Sequence, residues 1–140
     1  MDIEITFPGG KRVDAAFGGF VLRTDQPVDQ GGEGSAPAPF DLFLASLGTC
    51  AGIYVLGFCQ ARGLPTEGLG LRQRVTFDPT SHLPTSVDLE IVLPAGFPER
   101  YRTAVVRAAE HCKVKKTLAA PPEVRVAIAG APEPAAASPA

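Results

Sequence analysis

The chain has 140 residues, 45% of them hydrophobic, and a formal net charge of −2, so one domain with a substantial core is expected. Its basic residues are dispersed and it has no Trp, which argues against a nucleic-acid-binding surface. Three cysteines without CxxC spacing do not match a disulfide-rich secreted scaffold or a zinc knuckle. The first residues are acidic and poor in apolar content, so we expect no signal peptide and a cytoplasmic location.

The N-terminal part of the chain is predicted to form strands and then a loop. Residues 3–7 and 12–17 alternate apolar and polar side chains on either side of a Pro-Gly-Gly turn, which is a hairpin pattern. Residues 20–25 predict a third strand. The stretch 26–39 is rich in Gly, Pro and small residues and is typical of a loop.

A long apolar helix is predicted from Pro39 to about Arg62. Pro39 suits the first helical turn, and Gly63 and Pro65 end the helix. Residues 42–59 carry no formal charge, which is the minimum for a membrane span. The run nevertheless contains glycines and polar residues, and no basic cluster or aromatic belt flanks it, so a core helix fits better than a membrane helix.

A helix that is apolar on every side needs cover on every side, and one sheet covers a single face. A chain of this size has few further elements to close the other side. We therefore expect a homodimer with the long helix near the two-fold axis.

The second half predicts two strands, a helix and a last strand. Residues 70–78 and 85–93 both alternate and predict a hairpin. Residues 98–112 have apolar side chains at helical spacing and continue in a short helical turn before Pro121. Residues 123–128 alternate again and predict a final strand.

The resulting order is ββ(β)-α-ββ-α-β, which predicts an α+β fold with an antiparallel sheet. A single domain is expected over residues 1–129. The composition of residues 130–140 predicts a disordered C-terminal tail.

Cys50 lies in the apolar helix, where burial without a partner charge raises a cysteine's pKa. A thiol there becomes redox-active only if a cation and a second thiol lie nearby. Cys50 and Cys59 point in nearly opposite directions, about 13 Å apart along the helix axis, and cannot form a disulfide with each other. A pair within one subunit would join Cys50 or Cys59 to Cys112. Cys50 has small neighbours that leave space around it, whereas Cys59 suits packing as a small hydrophobe.

Two cysteine motifs resemble those of the OsmC/Ohr family of thiol-dependent hydroperoxide reductases. They are GSAPAPFDLFLASLGTC, at residues 34–50, and the later HCKVKKTL. The family has an A-S-L-G-x-C core in a long apolar helix and a later cysteine in a C-P-V-x-x-T-L context, and the element order is also similar. The resemblance implies an intertwined dimer in which antiparallel sheets wrap around two buried central helices, with each active site at the subunit interface.

The resemblance also implies roles for individual residues. Cys50 matches the peroxidatic cysteine and Cys112 the resolving one. An arginine from the N-terminal region would contact the reactive thiol; Arg23 and Arg12 are both in range, and Arg23 is preferred. Phe40 stands where the best-studied branches carry the glutamate that holds this arginine.

Three further residues near these motifs bear on the site. Asp41, next to Phe40, is a possible supporting carboxylate. Lys113 replaces the family's proline, and the basic run that it begins is typical of a solvated face, although it is also placed to favour ionisation of Cys112. His111 could in principle join the two cysteines in a zinc site, but short-range ligand pairs are missing, so no metal and no cofactor are expected.

These residues predict a thiol peroxidase. A thiolate would attack a peroxide oxygen, a second thiol would condense with the sulfenic acid, and an external dithiol would reduce the disulfide. Phe40, Phe43 and Tyr54 would form an apolar mouth for organic hydroperoxides, or else pack as ordinary core residues. The alternative function is an OsmC-fold stress-associated or small-molecule-binding protein without efficient peroxidase activity.

Overall fold

The computed structural model describes residues 1–130. These residues form two antiparallel sheets and several helices, which confirms the α+β class. The main elements follow in the order β1 (Glu4–Gly9), β2 (Arg12–Phe17), β3 (Phe20–Leu22), α1 (Pro39–Gln60), β4 (Gly70–Phe77), β5 (Pro84–Val92), α2 (Arg102–Glu110) and α3 (Lys113–Ala119). Short 3-10 turns lie at Val28–Gln30 and Glu99–Tyr101.

The strands lie in two separate sheets. β1, β2 and β3 form a three-stranded meander, and β4 and β5 form a two-stranded hairpin. In that hairpin Gln73 pairs with Leu89 and Val75 pairs with Val87. Because side chains alternate across a strand, Gln73 and Val75 share the face of β4 that packs toward α1.

The long helix α1 begins at Pro39, as predicted, and ends at Gln60, two residues before the predicted end. It packs against α2, α3 and β4 with one stripe of buried residues, spaced three or four apart: Leu44, Leu47, Ala51, Val55 and Cys59. The opposite face is open within the single chain, where Ile53 is 61% exposed. By length and composition α1 could also cross a membrane, a test that the core helix of a soluble protein passes equally well.

The core centres on the C-terminal half of α1. Val55, Cys59, Phe97 and Val105 are buried together. Cys59 is fully buried, and burial raises the pKa of its thiol. This agrees with its predicted role as a small hydrophobic packing residue.

The loop before α1 is organised by one buried carboxylate. Asp25 is 1% exposed and accepts hydrogen bonds from the N–H of Gln26 (2.8 Å), the N–H of Glu33 (3.2 Å), and the N–H (3.0 Å) and hydroxyl (2.7 Å) of Ser35. The bonds from Ser35 are the main cause that lowers the pKa of Asp25 to about 2. Gly32 must be glycine here, since a Cβ would lie 1.9 Å from the carbonyl oxygen of Gln26.

Two predicted elements are shorter or divided in the structure. The strand predicted at residues 20–25 ends at Leu22, although the N–H of Val13 still donates to the carbonyl oxygen of Thr24 in the register of β2 and β3. Beyond this bond, the Asp25 side chain accepts its hydrogen bonds from the following loop. The helix predicted at 98–112 contains a 3-10 turn followed by α2, and the chain bends at Cys112 before α3 begins.

The prediction of a strand at residues 123–128 is wrong for the single chain. This segment forms no strand, and Val124, Val126 and Ile128 are 81%, 91% and 82% exposed. Alternation indicates that a segment can pair, but pairing also requires a free strand edge within reach. The predicted tail, apart from Gly130, lies outside the described residues.

Candidate redox site

The structure brings Cys50 and Cys112 together. Cys50 lies in the middle of α1 and is half-buried, whereas Cys112 is 2% exposed and immediately precedes α3. The two thiols are near enough to act on each other's ionisation, and Cys112 Sγ also lies 3.9 Å from the carbonyl oxygen of Leu47. Both cysteines are free thiols.

The two thiols have opposite pKa shifts. The pKa of Cys50 is lowered, chiefly by the backbone N–H of Val114 and then, against the effect of burial, by the Cys112 thiol and by the N–H and positive charge of Lys113. The pKa of Cys112 is raised, chiefly by burial and further by Cys50. Cys50 is therefore the thiol that ionises first, and Cys112 is the thiol that keeps its proton.

The bend at Cys112 explains why backbone N–H groups face Cys50. Cys112 has an extended ψ of 124° between two helices, so α3 starts in a new direction. The first N–H groups of any helix have no acceptor within that helix. Those of Lys113 and Val114 are directed toward the sulfur of Cys50, where they favour the thiolate.

A close contact between α1 and β4 holds the helix between Leu44 and Gly48, on the N-terminal side of Cys50. The side-chain amide of Gln73 donates to the carbonyl oxygen of Leu44 at 2.8 Å. Its Oε1 lies over Gly48, where a Cβ would come within 2.7 Å. Gly48 therefore allows the Gln73 side chain to reach the helix backbone.

The two candidate arginines lie elsewhere in the chain. Arg12 and Arg23 are exposed and line a cavity of about 410 Å³ that also includes Asp14, Thr24 and Ser35. Neither guanidinium is among the groups that shift the pKa of Cys50. Within one chain the nearby cation is Lys113, which the sequence suggested for Cys112 instead. The predicted contact of Arg23 with the Cys50 thiol would therefore have to be made in an assembly of two subunits, and it stays a prediction.

The residues of the predicted apolar mouth lie on α1 with Cys50. The rings of Phe40 and Phe43 stack with centroids 5.6 Å apart and are 43% and 40% exposed. Tyr54 is half-buried, one helical turn after Cys50. Asp41 is exposed and lines a shallow cavity that also includes Gly48.

A larger apolar groove was not foreseen from the sequence. It has a volume of about 580 Å³ and lies between β5, α2 and α3. Cys112 is one of its lining residues, and most of the others are aliphatic: Leu47, Val87, Leu89, Ile91, Leu93, Val105, Val106 and Leu118. The alternation in β5 indicated an apolar face, but only the packed structure shows that the thiol borders on it.

His111 is exposed at the end of α2. Within residues 1–130, no three His, Cys, Asp or Glu side chains are grouped in a way that could hold a metal ion.

Comparison with known proteins identifies the family. The family model described as OsmC-like protein matches residues 32–127. The chain belongs to the OsmC family. The match includes Cys50 and Cys112. A comparison with curated proteins finds no significant match.

Solved structures show the same fold at low sequence identity. One is a protein of Psychrobacter arcticus 273-4 that is described as an osmotic stress induced and detoxification response protein. It is 21% identical to this chain, and the alignment has a TM-score of 0.71 and covers 82% of this chain and 85% of that one. An organic hydroperoxide resistance protein OsmC from Legionella pneumophila is 20% identical, with a TM-score of 0.52 over 84% and 89%. A third is a Vibrio cholerae protein that is described as an organic hydroperoxide resistance protein with captopril bound in one of its active sites. It is 18% identical to this chain, with a TM-score of 0.53 over 84% of each chain.

Proposed function

We propose that this OsmC-family protein is a two-cysteine thiol peroxidase that reduces organic hydroperoxides. The observation that carries the proposal is the proximity of Cys50, whose pKa is lowered, to Cys112, whose pKa is raised, since each thiol affects the ionisation of the other. A peroxidase needs this asymmetry, because one sulfur must be a thiolate while the other waits as a thiol. The hydroperoxide resistance proteins among the structural relatives support the same reaction class.

In the first step the Cys50 thiolate attacks the terminal oxygen of the hydroperoxide. The O–O bond breaks, the alkoxide takes a proton and leaves as an alcohol, and Cys50 becomes a sulfenic acid. The N–H of Val114 and the charge of Lys113 lower the pKa of Cys50 and so favour the thiolate that attacks. Both act from α3 of the same chain.

In the second step Cys112 attacks the sulfur of the Cys50 sulfenic acid. The new S–S bond forms as the S–O bond breaks, and the hydroxide leaves as water with the proton of Cys112. The peroxide has gained two electrons and the two thiols have lost two. An external dithiol then reduces the disulfide by thiol–disulfide exchange.

The working form is proposed to be a homodimer in the cytoplasm, where reducing conditions return the cysteines to thiols. The open face of α1 supports a dimer, because apolar helix surface of this extent is costly to leave in water. Arg23 would act on Cys50 of the partner subunit, and Phe40, Phe43 and Tyr54 would line the substrate pocket.

The test is peroxide consumption by the purified protein with excess dithiol. We expect cumene hydroperoxide to be consumed faster than hydrogen peroxide, because an apolar site gains from binding an organic group. Cys50→Ser should abolish turnover, and Cys112→Ser should allow one oxidation and then stop. Cys59→Ser is the matched control and should retain activity. If the wild type reduces no peroxide, the protein is better explained as a small-molecule-binding member of the family.

A further inference from the structure

We propose that the reducing thiol reaches the oxidised site through the groove between β5, α2 and α3 and attacks Cys112 rather than Cys50. This inference rests on the proposed function, because it concerns how the Cys50–Cys112 disulfide is reduced. It assigns the groove to the reductant and the region around Cys50 to the peroxide. The two substrates would then approach the cysteine pair from different sides.

The composition of the groove favours a reductant with an apolar body. Its walls are aliphatic side chains of β5, α2 and α3, and Cys112 borders on it whereas Cys50 is not among its lining residues. A thiol held in this groove would therefore lie closer to Cys112 than to Cys50. Methylene groups of the reductant would replace water against these walls, which is favourable in proportion to the apolar area covered.

The charges of the groove complement the attacking species. A thiol attacks as a thiolate anion, and the groove is lined by two basic residues, Arg102 and Lys115, against one acidic residue, Glu110. Arg102 already pairs with Glu99 at 2.7 Å. No ion pair involves Lys115 in the described part of the chain. Its ammonium group is therefore available to attract an incoming thiolate.

The chemistry of the pair favours the same direction of attack. The thiolate of the reductant forms a bond to Cys112 Sγ, the S–S bond breaks, and Cys50 leaves with the electron pair as a thiolate. The second thiol of the reductant then attacks the mixed disulfide, which releases Cys112 as a thiol and the reductant as its own disulfide. Exchange is faster when the leaving thiol has the lower pKa, and Cys50 is that thiol.

The first experiment identifies the sulfur that is attacked. The full-length protein in the Cys59→Ser background is oxidised with diamide, so that the disulfide is made without peroxide. It is then treated briefly with 1-butanethiol, which cannot close a ring, and quenched in acid. Peptide mapping after alkylation should find the butyl group on Cys112 and the alkylating label on Cys50. An adduct that forms first on Cys50 would overturn the proposal.

The second experiment tests the groove itself with two dithiols of equal length. 1,4-Butanedithiol and dithiothreitol differ only in two hydroxyl groups. The rate at which each dithiol reduces the protein disulfide is divided by the rate at which it reduces a small free disulfide. After this correction, butanedithiol should reduce the protein at least about fivefold faster than dithiothreitol, the factor expected for covering a few apolar groups. Val106→Ser, in the groove and 51% exposed, should reduce this preference. Leu83→Ser, at a 62% exposed site outside the groove, should not; equal effects of the two variants would contradict the proposal.

The third experiment tests the positive charge of Lys115 in the groove. Lys115→Gln should slow reduction of the disulfide at low salt and weaken its salt dependence, whereas Lys116→Gln, the exposed neighbour outside the groove, should leave both unchanged. Lys115→Arg should restore the rate.

The experiments distinguish failure of the peroxidase function from failure of the groove proposal. If diamide forms the disulfide and peroxide does not, only the peroxidase function is contradicted. A protein that forms no disulfide with either oxidant contradicts both.

Discussion

Cys112 lies beside Cys50 where the bend between α2 and α3 meets the middle of α1, and the two sulfurs have opposite pKa shifts. The difference arises from their surroundings. Burial is the largest influence on Cys112, whereas a backbone N–H is the largest influence on Cys50. A displacement of α3 would remove the N–H groups from Cys50 and the second thiol from reach at once. In the proposed peroxidase, activation of Cys50 and its resolution by Cys112 would therefore depend on the same junction.

The first prediction concerns the pH dependence of thiol reactivity. Because the pKa of Cys50 lies below the ordinary value of 9.0 and the pKa values of Cys59 and Cys112 lie above it, Cys50 should be alkylated first as pH rises. The measurement is the rate of iodoacetamide labelling of each cysteine as a function of pH, followed by peptide mapping. Labelling of Cys112 or Cys59 at a lower pH than Cys50 would contradict the assignment.

The second prediction concerns Lys113. Lys113→Gln removes a positive charge beside Cys50 but keeps the backbone N–H, so the thiolate fraction should fall. Oxidation by cumene hydroperoxide near neutral pH should slow by a factor of about 2–5, as expected for one solvent-screened charge. The rate should approach that of the wild type at high pH, where Cys50 is ionised in both proteins. Lys116→Gln is the control, and an equal loss in both variants would mean that Lys113 has no specific role.

Local signals explain which parts of this structure could be predicted. The ends of α1 followed from Pro39 and Gly63, and the hairpin of β4 and β5 followed from alternation, since both patterns are carried by neighbouring residues. The N–H of Val114 beside Cys50 could not be predicted, because it depends on the bend at Cys112 and on the packing of α3 against α1. The capping role of Asp25 could have been predicted, since an Asp side chain at the start of a loop commonly accepts hydrogen bonds from nearby backbone N–H groups.

The third prediction concerns the buried carboxylate of Asp25. The two oxygens of Asp25 accept from three N–H groups and one hydroxyl. Asp25→Asn removes the negative charge and replaces one of these oxygens with an NH2 donor, so the melting temperature should fall. The folded pKa of about 2 is below the ordinary 3.8, so the carboxylate stabilises the fold fully above the unfolded pKa and loses that contribution as pH falls toward 2. The difference in Tm between the two proteins should therefore shrink between about pH 4 and pH 2. Asp29→Asn, at an exposed position in the same loop, should show no such convergence.

The fourth prediction concerns the contact between Gly48 and Gln73. A Cβ at Gly48 would lie 2.7 Å from Gln73 Oε1, so Gly48→Ala should displace the amide that bonds Leu44 and lower the free energy of unfolding by about 1–3 kcal/mol. In a Gln73→Ala background the same change should cost much less, because the clash is gone. Urea denaturation of the four proteins in this cycle gives the coupling.

A glycine of the same helix provides the control for that cycle. Nothing lies within 4 Å of a Cβ at Gly52, which is about 100° around the helix from Ile53, so Gly52→Ala should raise stability by about 0.5–1 kcal/mol through helix propensity alone. Independent effects of Gly48→Ala and Gln73→Ala would show that the two residues do not interact.

The last prediction concerns assembly through the open face of α1. Ile53 is 61% exposed in the single chain, on the side of the helix opposite its buried stripe. If this face forms a dimer interface, Ile53→Asp should place a charge in an apolar contact and shift the protein to monomers, because an unpaired charge is costly to bury. Leu83→Asp, at a site that is 62% exposed and lies outside α1, should leave the assembly unchanged. Sedimentation velocity at low protein concentration distinguishes the two variants, and a wild-type protein that is a stable, well-folded monomer would refute the dimer.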